Sequence, residues 1–174
     1  GDLQGAAIEE ILFESYAPGG VGLIIQCLSD NRNRSVADVR HVLQRHNATL
    51  AGSNQVLRNF QRRGQILLDA AGVDEDQLIE LALDAGADDV TNEGGQFEVL
   101  TPPNAYNEVS EKLTAAGYNV SEDSGVNFVP TVWAPVTDKA QAASLLKLVE
   151  AIEELEDVQY VYMNGDIADE AIEG

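Results

Sequence analysis

Apolar positions at the start of the chain alternate in the manner of strands. Glu10 to Tyr16 and Val21 to Leu28 are two β-rich runs, joined by Ala17-Pro18-Gly19-Gly20. Pro18 presets the backbone for a turn and Gly19 can take the positive φ of a type II turn, so a β-hairpin is predicted. In the second run Val21, Leu23, Ile25 and Cys27 recur at period two and share one face, which puts the thiol in the buried set as a core group rather than a reactive one. From Val36 to about His46 the period lengthens. Val36, Val39, Val42 and Leu43 make a helical stripe, with Ser35 as the expected N-cap, Asp38 at the capping-box position, and Arg40 and Arg45 on the other face. After a polar loop near Gly52, Val56 to Phe60 reads as a weaker strand, closed by Arg62-Arg63-Gly64.

Beyond Gly64 the pattern is regular. Gln65 to Ala70 is a strand, and Asp74 caps a helix carrying Leu78, Leu81, Ala82 and Ala85, with Gly86 at C′. Two strands, near Asp88 to Thr91 and Gln96 to Leu100, flank the turn Asn92-Glu93-Gly94-Gly95. Pro103 opens a helix with Tyr106, Val109, Leu113 and Ala116 on one face; Gly117 ends it, and Tyr118 to Glu122 is the expected last strand. The order βαββαβ is that of a ferredoxin-like unit. What remains is half a unit at each end, the C-terminal half offering a strand at Phe128 to Val136, a helix from Asp138, and a strand at Val158 to Met163. The expected fold class is therefore α/β (α+β), two ferredoxin-like βαββαβ-type sandwiches. Residues 1–63 with 127–174 form a discontinuous domain, residues 64–126 are inserted into it, and the Phe128 to Val136 strand pairs in the sheet of Val21 to Leu28.

Charge sharpens this picture. The 174 residues carry a net charge of −20, unevenly spread. Residues 1–63 hold seven arginines against six acids, whereas residues 64–174 hold three lysines against 24 acids. An acidic surface repels phosphate backbones, so the acids are read as a solvated shell and any nucleic-acid contact as confined to the arginine-bearing part. With Cys27 the single cysteine, no intrachain disulfide is possible, and a reducing, cytoplasmic setting is expected, or a mitochondrial or plastid matrix in a eukaryote. Val21 to Ile25 is far shorter than the roughly 20 residues a spanning helix needs, and no membrane partner is expected. Gly1 in place of Met suggests that a segment upstream is missing.

No catalytic constellation can be assembled, so no enzyme and no cofactor are expected. His41 and His46 are five apart on one helix and face different ways, unlike an i, i+4 metal pair. Acid clusters such as Asp74-Glu75-Asp76 and Glu153-Glu154-Glu156-Asp157 lack the ligand spacing of a calcium loop and are read as solvated faces. Gly19-Gly20-Val21-Gly22 joins two strands and lacks the Lys-Ser/Thr of a P-loop. The unusual segment is Asp30-Asn31-Arg32-Asn33-Arg34-Ser35, which sets two arginines and two asparagines between a buried strand and a helix N-terminus. Arginine forks there suit phosphate. Equally, Asp30 and Asn31 can make the turn while the arginines pair with local acids. Asn31, Arg32, Asn33, Arg34, Arg40, Arg62 and Arg63 are the candidate nucleic-acid contacts.

Several stretches together resemble the YebC family of gene-expression regulators: Tyr16 to Val21, Cys27 to Ser35, Val39-Arg40-His41, Leu155 to Gln159 and Val161-Tyr162-Met163-Asn164. The sequence departs from that pattern at Ala17, where glycine is common, and around Arg58 and Asn59, where apolar or aromatic residues are usual. The resemblance implies two α/β domains preceded by a basic helical domain that this chain lacks. It also implies a non-enzymatic role as a DNA-binding transcriptional regulator or a ribosome-associated translation factor, with DNA or ribosomal RNA as partner. Arg32, Arg34 and the Pro18-Gly19-Gly20 turn are the contacts it carries over. A ligand-sensing or protein-docking module is the alternative, because fold alone does not settle function.

Overall fold

The computed structural model describes residues 7–172; Gly1, and with it the expectation about the chain start, lies outside them. The predicted hairpin forms from β1 (Glu9–Ala17) and β2 (Val21–Ser29), paired antiparallel in unbroken register from Glu9 with Ser29 to Ala17 with Val21. Gly20 N–H donates to the Ala17 carbonyl at 3.1 Å, and Gly19 takes φ +90°, as a type II turn requires. Next come α1 (Arg32–Arg45), β3 (Thr49–Leu50), a 3₁₀ turn over Leu57–Asn59 and β4 (Phe60–Asp69). The chain continues through α2 (Glu75–Ala85), β5 (Asp89–Glu93), β6 (Gln96–Thr101), α3 (Tyr106–Ala115) and β7 (Gly125–Pro130). It ends with β8 (Ala134–Val136), α4 (Lys139–Glu153), β9 (Val158–Met163), β10 (Gly165–Ile167) and α5 (Asp169–Ile172).

The chain divides into two compact units, one holding the residues up to Gln61 and from Pro130, the other Arg62–Val129. In the first unit the sheet order is β3-β1-β2-β9. Val21, Leu23, Ile25 and Cys27 on its inner face pack with Val39, Val42 and Leu43 of α1 and Leu145, Leu148 and Ile152 of α4. Burying such a face removes several large side chains from water, each worth about 1.5–3 kcal/mol. In the second unit the element order is βαββαβ and the sheet order β5-β6-β4-β7. Its core joins Ile66, Leu68, Phe97 and Val99 to Leu78 and Ala82 of α2 and Val109 and Leu113 of α3. The molecule is thus two α/β sandwiches, but only the second follows the βαββαβ order; the first is centred on a hairpin.

Four local expectations are corrected. Helix α1 begins four residues before Val36, and its N-cap is Asn31, whose Oδ1 accepts the Arg34 N–H at 3.1 Å. Ser35 is not the cap and Asp38 completes no capping box, because Ser35 is buried inside the helix with its hydroxyl committed elsewhere. Of the Val56 to Phe60 stretch only Phe60 is strand, as the first residue of β4; Val56 to Asn59 is a turn and 3₁₀ segment, curled because the Glu14 carboxylate draws in the N–H groups of Asn54, Val56 and Leu57 at 2.8–2.9 Å. Tyr118 to Glu122 yields only an isolated bridge between Val120 and Leu68, since Ser121 and Ser124 turn the chain there and the full strand is β7. Phe128 to Val136 is not one strand and does not pair with β2. It breaks after Pro130, β7 joins the β4 sheet, β8 pairs parallel with β10, and β9 takes the place beside β2.

Cys27 is fully buried, and burial first, with the Asp157 charge second, pushes its thiol up to about 11. A thiol so protonated is a poor nucleophile at neutral pH. In native protein Cys27 should therefore resist alkylation by iodoacetamide over hours and react within minutes once unfolded; rapid native labelling would contradict its burial.

Candidate nucleic-acid interface

The arginine-rich segment is the first turn of α1 rather than a loop, and a residue more than a hundred positions away organises it. β9 lies beside β2 with a bulge at Gln26/Cys27, which brings Asp157 to the start of α1. Asp157 accepts from the Ser35 hydroxyl at 2.6 Å and from Arg34 Nε at 3.2 Å and Nη2 at 3.0 Å. Ser29 Oγ accepts the Asn31 N–H at 3.0 Å and lies 2.7 Å from Ser35 Oγ and 2.9 Å from the Asn31 carbonyl, with its one proton to give to either. Asp30 closes the arginine fork from its other side, 2.9 Å from Arg34 Nη2. The Asp157 side chain is only 12% exposed. Ser35 first, then Arg34, hold its carboxyl below the usual carboxylate range, against the opposing pull of burial. Asp157 and Asp30 in turn hold the Arg34 guanidinium charged well above the ordinary range.

The sequence candidates therefore separate. Asn31 is spent on the cap and Arg34 on Asp157 and Asp30. Arg32 stands 3.5 Å from Glu9, an exposed pair of the kind that contributes little to stability. Asn33 projects outward from the same turn. In the second unit Arg62 lies over the Phe128 ring, 5.6 Å from its centroid, and Arg63 binds Asp88 at 2.8 Å and the Thr101 carbonyl at 3.2 Å. Arg40 is exposed, with no ion-pair partner among the described residues, and the same holds for Arg45 and Arg58.

The Pro18-Gly19-Gly20 turn is packed against α4. Gln141 Nε2 donates to the Pro18 carbonyl at 3.3 Å; a Cβ on Gly19 would meet only the movable end of the Gln141 side chain, so it is the positive φ of +90° that calls for glycine there. The Asn164 side chain, in the last of the motifs, is likewise structural. It is buried, its Oδ1 accepts the Gly22 N–H at 2.7 Å, and its Nδ2 donates to the Val132 carbonyl at 3.0 Å. Asp157, Ser29 and Asn164 were missed as site-forming residues. Asp157 reads as one more acid in a solvated run, and only its place in the Leu155 to Gln159 motif marked it out.

Fold and site define a class: a two-sandwich α/β protein whose motif residues build a polar junction, with no cluster of three or more His, Cys, Asp or Glu side chains able to hold a metal among the described residues. No described helix is long and apolar enough to cross a membrane. The family model described as "TACO1/YebC second and third domain" matches residues 8–165. A probable transcriptional regulatory protein of Magnetococcus marinus is 46% identical over 173 residues, covering 99% of this chain and 69% of its own length. One of the same description from Treponema pallidum is 41% identical over 172 residues, with 99% and 69% covered. The crystal structure of a conserved hypothetical protein from Aquifex aeolicus superposes with a TM-score of 0.84 at 36% identity, covering 99% of this chain and 71% of that one. The chain belongs to the TACO1/YebC family.

Proposed function

We propose that the chain is a non-enzymatic regulator of gene expression that contacts RNA or ribonucleoprotein through the first unit, rather than gripping a long stretch of duplex DNA. The observation that carries this reading is the placement of the uncommitted arginines. Arg40, Arg45 and Arg58 are exposed and without acid partners among the described residues, all in the first unit, in a chain whose net charge is −20. Duplex binding through phosphates draws on many contacts at once and weakens steeply with salt, and these three arginines, with the likewise exposed and unpaired Lys139 and Lys147 of the same unit, are too few to supply them in a repulsive field. A folded RNA surface offers single phosphates and unpaired bases that a few placed cations can reach. The names of the relatives, probable transcriptional regulatory proteins, support the coarser role in gene expression.

Co-sedimentation with ribosomes, compared with retention on promoter DNA in the same buffer at about 0.15 M salt, where screening length is roughly 8 Å, distinguishes the partners. Sedimentation with ribosomes and release from DNA is the expected result. Retention on duplex DNA that survives this salt, without ribosome association, would refute it.

A further inference from the structure

We propose that the cleft between the Pro18-Gly19 turn, the end of α1 and the first turns of α4 seats one nucleotide of a single-stranded RNA, with its phosphate on Arg45 and Lys147. This rests on the RNA reading above and names the place of contact. The cleft measures about 590 Å³ and lies wholly within the first unit. Its rim carries Arg45, His46 and Lys147, and its lining includes the apolar Ala17, Pro18 and Leu145. A volume of this order suits a nucleotide-sized ligand, and basic groups around an apolar lining suit a phosphate carried on a flat base.

Two of the chain's ten lysines and arginines meet at this one cleft, with His46 beside them, in a chain that carries 30 acids. Neither Arg45 nor Lys147 has an ion-pair partner among the described residues, whereas Arg32, Arg34, Arg63 and Lys112 are each paired. Arg45 also complements the C-terminal end of the α1 dipole, but that does not account for Lys147, which lies inside α4. The one acid in the lining, Asp138, is engaged as the α4 N-cap, accepting the Gln141 N–H at 2.9 Å. The Gln141 bond to Pro18 holds the turn against α4, so the cleft is formed before any ligand arrives and binding need not fund its ordering.

The test is fluorescence anisotropy of a labelled single-stranded RNA oligonucleotide with the whole chain across a salt series. Arg45→Ala with Lys147→Ala should weaken binding roughly 10-fold or more and lower the slope of log K against log salt by about 0.7, the value for one phosphate on a single strand. Lys112→Ala, which removes a paired charge in the second unit, should change neither. Circular dichroism checks the fold, and Arg45→Gln with Lys147→Gln repeats the test with the side-chain stems largely kept. If wild type binds and both double variants match it in affinity and slope, the cleft assignment is overturned while the RNA reading stands. If wild type binds no RNA at any salt, both fall. If adenosine monophosphate displaces the oligonucleotide at equal affinity, the ligand is a free nucleotide and the assignment to a strand is overturned.

Discussion

Replacing Glu14 by alanine should destabilise the protein by roughly 3 kcal/mol, because the buried Val56 N–H and the partly buried N–H groups of Asn54 and Leu57 lose a charged acceptor, and an orphaned buried donor costs about 1–3 kcal/mol. Glu14 is only 8% exposed and sits in β1 opposite Ile24, on the sheet face away from the helices. Its Oε1 takes Val56 and Leu57 N–H at 2.9 Å each and its Oε2 takes Asn54 N–H at 2.8 Å, which draws the Gly52 to Asn59 segment in, its own Val56 fully buried as is Ile24 opposite Glu14. Glutamine keeps one carbonyl oxygen and should recover part of the loss. Urea unfolding of the two variants, together with amide exchange at Asn54, Val56 and Leu57, measures the effect. An alanine variant as stable as wild type, with those amides still protected, would show that other acceptors hold the segment.

The second large effect is expected at Asp157. Its removal leaves the buried Ser35 hydroxyl and the Arg34 fork without their shared acceptor; since Arg34 keeps Asp30 and stands 43% exposed, the loss should be about 2 kcal/mol rather than the larger cost of a fully buried pair. The pH dependence follows from the direction of the shift. A carboxyl whose folded pKa is depressed stabilises the fold fully above its unfolded value, here 3.8, and loses that contribution as pH falls through the folded value. The stability gap between wild type and Asp157→Asn should therefore be constant near neutral pH and close on acidification below 3.8. A gap that closes between pH 5 and 7 instead would assign the effect to another group.

The regular elements were largely legible in the sequence. The hairpin, α2 with its Asp74 cap and Gly86 terminus, and the β5-β6 turn at Gly94-Gly95 all appear at or near their expected places, because each is set by contacts within a few residues. The arginine junction was legible as a motif but not in its role. Ser35 looks like a cap because it precedes an apolar stripe, and nothing nearby shows that Asp157 will claim its hydroxyl. Glu14 on an alternating strand looks like a solvent-facing residue, since alternation says which face it occupies and not what covers that face. The cleft was out of reach for the same reason: Arg45 and Lys147 are 102 positions apart, and no periodicity relates them.

By itself the sequence determined the fold class, the family, the buried place of Cys27, and the concentration of arginine before residue 64. These follow from period, composition and motif order, all local or additive properties of the chain. Tertiary structure alone decided which strands are neighbours and which charges are spent. β9 rather than the Phe128 to Val136 stretch lies beside β2, and Arg34 is neutralised by Asp157 while Arg45 stands free. The physical reason is that pairing energies depend on distance and desolvation in space, so an acid 123 residues away can outweigh every near neighbour once the sheet brings it to 3.0 Å.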